Sequence, residues 1–206
     1  TVINMLMTIL GAFALTRKDL YIKKFVLILI IFTMQFGGGL IPTYIVVNKL
    51  LGESIWTQVL PGAVATANLI IMRTGFMAIP ESLEESAKID GASDWSVLIK
   101  IVLPLSKSTL AVIALYYGVA HWNQWFQASV YLRDRNLFPL QLFLREILLQ
   151  NQVEETVVGV ASGLTANMED VVKYATVIVA IVPVLCVYPF LQKYFVKGVM
   201  VGAVKG

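Results

Sequence analysis

The chain has 206 residues, 58% of them hydrophobic and 14% charged, with a net charge of +3. Soluble domains average roughly 45–50% apolar and 25% charged residues, and the mean hydropathy of +0.77 comes from apolar runs about as long as a bilayer-spanning helix, roughly 20 residues. A soluble enzyme and a nucleic-acid-binding protein are excluded, and an all-helical, multi-pass membrane protein is expected. Cys186 is the single cysteine, so no disulfide can form within the chain. Inside an apolar run it reads as a small packing residue.

About five spans follow in chain order. The first, 1–16, ends at Thr16-Arg17-Lys18-Asp19 and is slightly short for a complete crossing. It has no initiator Met, no basic n-region and no cleavage site, so it reads as the end of a span whose start is missing. The second covers about 25–48, the third about 58–79, ending at Ile79-Pro80. The fourth runs from Ser106 to about Tyr131, and the fifth covers about 171–192. Gly37-Gly38-Gly39 and Pro42 interrupt the second. At 1.5 Å per residue from Phe25 they lie roughly 18 Å into a hydrocarbon core about 30 Å thick. Broken backbone is not tolerated against lipid, so this stretch should face protein or a water-lined cavity, or mark a tight helix crossing or an interfacial break.

Basic residues set the orientation. Arg17, Lys18, Lys23, Lys24, Lys88, Lys100, Lys107, Lys193, Lys197 and Lys205 fall on one side, and Lys49, Arg133, Arg135, Arg145 and Lys173 on the other. That places the loop at 17–24, the charged island at 81–104 and the C-terminus in the cytoplasm, and the segment 132–170 outside. Leu140 to Leu149 has the apolar spacing of a helix lying at the interface, and Thr165 to Asp170 offers a cap-like start to the last span.

The island at 81–104 carries the strongest local signals. Pro80 suits a first helical turn. Ser82 and Glu85 stand at capping-box spacing, and Glu81, Glu84 and Glu85 crowd the end where the helix dipole favours negative charge. Gly91 can close this helix in a left-handed conformation. Ser93-Asp94 can cap a second helix whose Val97, Leu98, Ile101 and Val102 share one face, with Pro104 ending it. A helix–turn–helix at the membrane surface is expected.

Glu85-Ser86-Ala87, three residues, Gly91, nine residues and Ile101-Val102-Leu103-Pro104 together resemble the EAA loop of ABC importer permeases, with Ser86 where the name-giving motif has Ala. His121 to Phe126 is similar to a Trp-Asn-x-aromatic stretch of sugar permeases. The C-terminus from Gln192 to Gly206 looks like the tail of the maltose-permease G-type subunit. Phe36 to Tyr44 and Tyr131 to Arg135 resemble a branch serving complex oligosaccharides, including uronic-acid ones such as alginate. The resemblance implies a single transmembrane permease domain over 1–206, in the type I importer fold with five of six helices present.

It also implies that Glu85, Ser86, Ala87, Asp90, Gly91, Ile101, Leu103 and Pro104 meet an ATPase subunit. The implied partners are a second homologous permease subunit, two ATPase subunits, an extracytoplasmic solute-binding protein and an oligosaccharide, in a bacterial cytoplasmic membrane. ATP and Mg2+ belong to the ATPase. No Gly-x-x-x-x-Gly-Lys-Ser/Thr is present, so this chain cannot cradle ATP phosphates, and neither cofactor nor catalytic residue is expected in it.

Polar groups within apolar spans are candidates for a translocation path. Gln35, Asn68, Tyr116, Tyr117, His121 and Asn123 are uncharged and suited to sugar hydroxyls, with core packing or an interfacial aromatic belt as the competing roles. Arg73 can line a cavity, form an ion pair or snorkel to the interface. A single histidine makes neither a metal site nor a proton relay. An ion-coupled transporter would want a carboxylate at midplane, and none of the acidic residues falls inside a span. An ABC permease for another small solute would keep the same loop.

Overall fold

The computed structural model describes residues 1–157 and 171–189, and all regular structure among them is helical. The expected cap at 165–170 and the tail at 192–206 lie outside the described residues. In chain order the helices are α1 (Val2–Thr16), α2 (Lys23–Gln35), α3 (Leu40–Leu51), α4 (Trp56–Val59), α5 (Thr66–Met77) and α6 (Glu81–Ile89). Then come α7 (Asp94–Leu105), α8 (Lys107–Trp122), α9 (Phe126–Tyr131), α10 (Leu140–Val157) and α11 (Val171–Pro189).

Each of the five expected spans contains helix, but among the described residues only α11 is by itself long and apolar enough to cross a membrane. The second stretch is not continuous. The chain leaves α2 at Phe36 and turns through 116° into α3, with Gly39 at φ 83° as the pivot. Only glycine takes that backbone freely, and Pro42 follows within the first turn, where its missing N–H costs nothing. The third stretch is helical at its start in α4 and again over 66–77, because Pro61-Gly62 ends the short α4 and leaves a turn before Ala65. The fourth is interrupted at 123–125 between α8 and α9.

The core is shared by α1, α5, α7 and α8. Ala12, Phe13 and Leu15 of α1 pack with Leu69, Met72 and Phe76 of α5, Val97, Leu98 and Val102 of α7, and Ile113 and Tyr117 of α8. The carbonyls that end α1 have no helical partner and are met by side chains. Thr16 Oγ1 donates to the Phe13 carbonyl at 2.6 Å, Arg73 Nε to the Leu15 carbonyl at 3.2 Å, and Lys23 Nζ to the Thr16 and Arg17 carbonyls at 3.5 and 3.3 Å. Cations suit this negative end of the helix dipole. Arg73 therefore serves as a cap on a neighbouring helix.

Two glycines set how closely the helices cross. A methyl group at Gly11 would meet Leu69 Cδ1 at 3.2 Å, and one at Gly75 would meet Thr109 Oγ1 at 2.6 Å and Cγ2 at 2.8 Å. Thr109 is β-branched and cannot swing away as a longer side chain would. Gly75→Val should lower stability by about 1–3 kcal/mol through overpacking, seen as a lower melting temperature of the detergent-purified protein. Gly118→Ala, where the added methyl meets nothing within 4 Å, should leave the melting temperature unchanged or slightly raised.

Candidate functional site

The segment 81–104 folds as two helices joined by a tight turn. Pro80 is the N-cap of α6, one position earlier than the first helical turn expected for it, and no side chain caps this end. The capping box expected from Ser82 and Glu85 does not form, and the neighbouring acids Glu81 and Glu84 turn instead to cations outside the segment. The C-terminus of α6 is a Schellman turn. The Ala92 N–H reaches the Ala87 carbonyl at 2.9 Å, the Gly91 N–H reaches the Lys88 carbonyl at 3.0 Å, and Gly91 sits at φ 78°. A Cβ at Gly91 would meet nothing within 4 Å, so within the chain it is the left-handed backbone that calls for glycine.

Ser93 then caps α7, its hydroxyl accepting the Ser96 N–H at 3.4 Å. The ladder widens into a π-turn over Leu98–Val102, where the Leu103 N–H bonds the Leu98 carbonyl. Pro104 has no N–H to offer the Lys100 carbonyl, and its ring would crowd that oxygen in a regular helix. It therefore does not end the helix as expected but sits in its last turn, and the chain breaks at Ser106 with an 83° bend into α8.

This arrangement divides the loop into two kinds of surface. Val97, Leu98 and Val102 are in the core, with Ala87, Ala92 and Leu103 packed against it. Ile101 is half-buried, while Glu85, Ser86, Asp90, Gly91 and Pro104 are exposed. Ile89, Trp95 and Ile99 are also exposed, at 86%, 63% and 59%. Large apolar side chains beside acids on a polar surface mark a docking face.

The loop is fastened to the end of α1 by charge. Arg17, with 16% of its side chain exposed, pairs with Glu84 of α6 at 2.7 Å and lies 3.7 Å from Asp94 of α7. Its guanidinium also covers the Phe13 ring at 4.1 Å. Lys88 adds a contact to Asp94 at 3.6 Å, and Lys18 pairs with Glu81. The hydrogen bond to Glu81 and its charge raise the Lys18 ammonium above its ordinary value, so Lys18 stays cationic throughout neutral pH. A groove of about 300 Å³ runs between this corner and α6, with Lys18, Lys23, Phe76, Glu81 and Glu85 on its walls.

The expected path residues separate into two groups. Tyr117 and His121, one turn apart on α8, are engaged inside the protein. The Tyr117 hydroxyl accepts the Ala65 N–H at 3.0 Å and shares a 2.7 Å hydrogen bond with Thr8. His121 Nε2 lies 2.9 Å from Asn4 Oδ1 and its Nδ1 lies 3.1 Å from Gln124 Oε1. Asn4 also donates to the Gly62 carbonyl at 2.6 Å, and Gln124 donates to Gln58 at 3.1 Å. Tyr116, Ala120 and the C-cap Asn123 lie on an adjacent, exposed face of α8. Gln35 is exposed at the end of α2, and Asn68 is buried on α5. Asn4, Thr8, Gln58 and Gln124 are the members that sequence reasoning missed. Asn4 alone had a visible signal, as a polar residue early in an apolar run.

With this geometry in hand, comparison with known proteins is decisive. The family model for the binding-protein-dependent transport system inner membrane component matches residues 5–201. The chain belongs to this family. It is 43% identical over 217 residues to the polygalacturonan/rhamnogalacturonan transport system permease protein YtcP of Bacillus subtilis, covering all of this chain and 72% of that protein. It is 30% identical over 210 residues to the arabinooligosaccharides transport system permease protein AraQ of Halalkalibacterium halodurans, covering all of this chain and 69% of that one. The crystal structure of a bacterial ABC transporter involved in the import of the acidic polysaccharide alginate matches with a TM-score of 0.81 at 33% identity, over 95% of this chain and 70% of that chain. The permease is thus a membrane subunit of an ABC importer with the type I importer fold, and ATP hydrolysis belongs to a separate subunit. Such a subunit works with an ATPase, a binding protein and a second permease.

Two substitutions test the loop. Gly91→Ala should cost about 1–2 kcal/mol of local stability through its left-handed backbone, read as faster amide exchange across 87–97, with Gly91→Asn less affected. Arg17→Glu should release α6 from α1 by breaking a charge-assisted contact worth about 1.5–3 kcal/mol. The double variant Arg17→Glu/Glu84→Arg should recover most of the exchange protection.

Proposed function

We propose that this permease forms half of the translocation path for an oligosaccharide, including uronic-acid-containing ones, and that segment 81–104 is its cytoplasmic contact with an ATPase. The whole importer is a heterodimer of permease subunits with two ATPase subunits and an extracytoplasmic binding protein. The C-terminus and the loop face the cytoplasm and 132–170 faces outward, as the distribution of lysine and arginine favours. ATP and Mg2+ act in the partner ATPase.

The observation that carries the coupling role is the division of the loop into an exposed and a buried half. Ile89, Trp95 and Ile99 offer a partner an apolar face, Glu85 and Asp90 offer it charge, and Gly91 leaves open space. Directly behind them Val97, Leu98 and Val102 belong to the transmembrane core, so displacement of the face is displacement of the core. Ile101 and Leu103 lie between the two, Ala87 seats α6 against the core, and Ser86 and Pro104 extend the exposed face. Closure of the ATPase pair then biases the helices toward one of two cavity states, and binding-protein delivery favours the same switch.

The sugar assignment is supported by the names of the relatives and by the uncharged polar character of the proposed path. Tyr116 and Asn123 are open to a sugar, with Gln35 at the end of α2. Tyr117 and His121 are engaged in the interior on the same helix, and Asn68 is buried on α5.

Ile89→Asp should reduce co-purification of the ATPase roughly tenfold, as expected for loss of one apolar anchor, while the permease pair still assembles. Normal ATP-coupled uptake by both Ile89→Asp and Gly91→Ala would remove the coupling role from this loop. In reconstituted complexes, oligosaccharides presented by the cognate binding protein should stimulate ATP hydrolysis. Stimulation by amino acids or phosphate, and not by sugars, would replace the cargo.

A further inference from the structure

We infer that the cleft between α10, α11 and Trp125 is a subsite for one carboxylated sugar ring, in which Arg145 takes the carboxylate and Trp125 supports the ring. This rests on the reading above that the cargo is an oligosaccharide and that 132–170 faces outward.

The cleft measures about 300 Å³ and is lined by Trp125, Gln141, Leu144, Arg145, Leu148 and Thr176, with α11 closing the far side. That is the small end of the range for ligand sites, roughly 300–1,000 Å³, and the mixture of apolar wall and a few polar groups is the usual one. Pyranose rings have apolar C–H faces and polar edges, so aliphatic and indole surface with a cation and an amide at the margin is complementary to them.

The arginines of this segment are used differently. Arg133 pairs with Glu53 at 3.2 Å and Arg135 with Glu146 at 2.7 Å. Arg145 instead lies over the Trp125 indole, 3.4 Å from a ring centroid. Stacking of this kind engages the flat face of a guanidinium. The N–H donors around its edge make no ion pair among the described residues, and they match a carboxylate in a two-pronged pair. Nearby, the Gln141 side-chain nitrogen is shielded from solvent and has no hydrogen-bond partner among the described residues. It is a donor in want of an acceptor at the wall of the cleft, and a small rotation offers it to a hydroxyl or a ring oxygen. The other polar cluster, Asn4–His121–Gln124–Gln58, is built of side-chain amides and an imidazole and has no arginine or lysine in it. Arg145 is the charged side chain lining this cleft, and so the group there that can tell an acidic from a neutral sugar.

The test uses the complete importer in lipid nanodiscs with its binding protein saturated by trigalacturonate or by its methyl ester, which has the same rings and no carboxylate charge. Arg145→Gln should slow acid-sugar transport about tenfold, the loss expected for one charge-assisted hydrogen bond. It should leave methyl-ester transport within twofold, and Arg145→Lys should recover part of the acid-sugar rate. Equal rates for wild type and Arg145→Gln on the acid sugar would overturn the subsite while leaving the sugar reading intact. A wild type silent to every sugar would overturn both together. An equal effect on both sugars that scales with phosphatidylglycerol content would show a lipid headgroup in the cleft, and would also overturn the proposal.

Discussion

Arg17 ends α1 and, from that one position, closes on Glu84 of α6, approaches Asp94 of α7 and covers Phe13 in the core. Much of this end of the permease depends on this junction. The C-terminal carbonyls of α1 draw Arg73 and Lys23 to the same place, so one helix end gathers cations and the cations gather the loop. Ionic contacts at a surface are individually weak, but here the charge is half sheltered and the helices behind it are packed. The loop is thereby held to the membrane helices from two directions, by charge in front and by Val97, Leu98 and Val102 behind.

The interruptions in the helices follow a second constraint, that backbone polar groups must be satisfied at membrane depth. Where the chain re-enters helix at α5, the Ala65 N–H would be orphaned, and the Tyr117 hydroxyl meets it. Where α4 gives way to the turn at Pro61-Gly62, the Gly62 carbonyl is taken by Asn4. Two of the polar side chains buried among the described residues, Tyr117 and Asn4, thus repair the chain's own irregular backbone. On α8, Tyr116 and Asn123 remain on the exposed stripe.

How much was legible in the sequence depended on the range of each interaction. Gly91 and Ser93 act within five residues of themselves, and the turn and cap they encode are present as read. The box expected from Ser82 and Glu85 is equally local, yet it loses to partners some 60 residues away, since Glu81 and Glu84 face Lys18 and Arg17. Pro104 was readable as a constraint but not as its outcome, because a missing N–H can be met by ending a helix or by widening it, and the packing of Leu98 and Val102 selects the second. The bond between His121 and Asn4 spans 117 positions, and no periodicity in either segment announces it. Helix lengths were overestimated for the same reason. Hydropathy sees about 58–79 as one apolar run, whereas Pro61-Gly62 and the approach of α8 divide it.

The contact of Gly75 with Thr109 also has a mechanical meaning. A crossing that admits no side chain is the point of nearest approach of α8 to α5, and so the natural pivot for any tilt of one against the other. From Thr109 the bend at Ser106 is three residues away and Trp122 is thirteen, arms of about 4.5 and 20 Å at 1.5 Å per residue. Any tilt of α8 about this crossing would carry Trp122 roughly four times as far as Ser106.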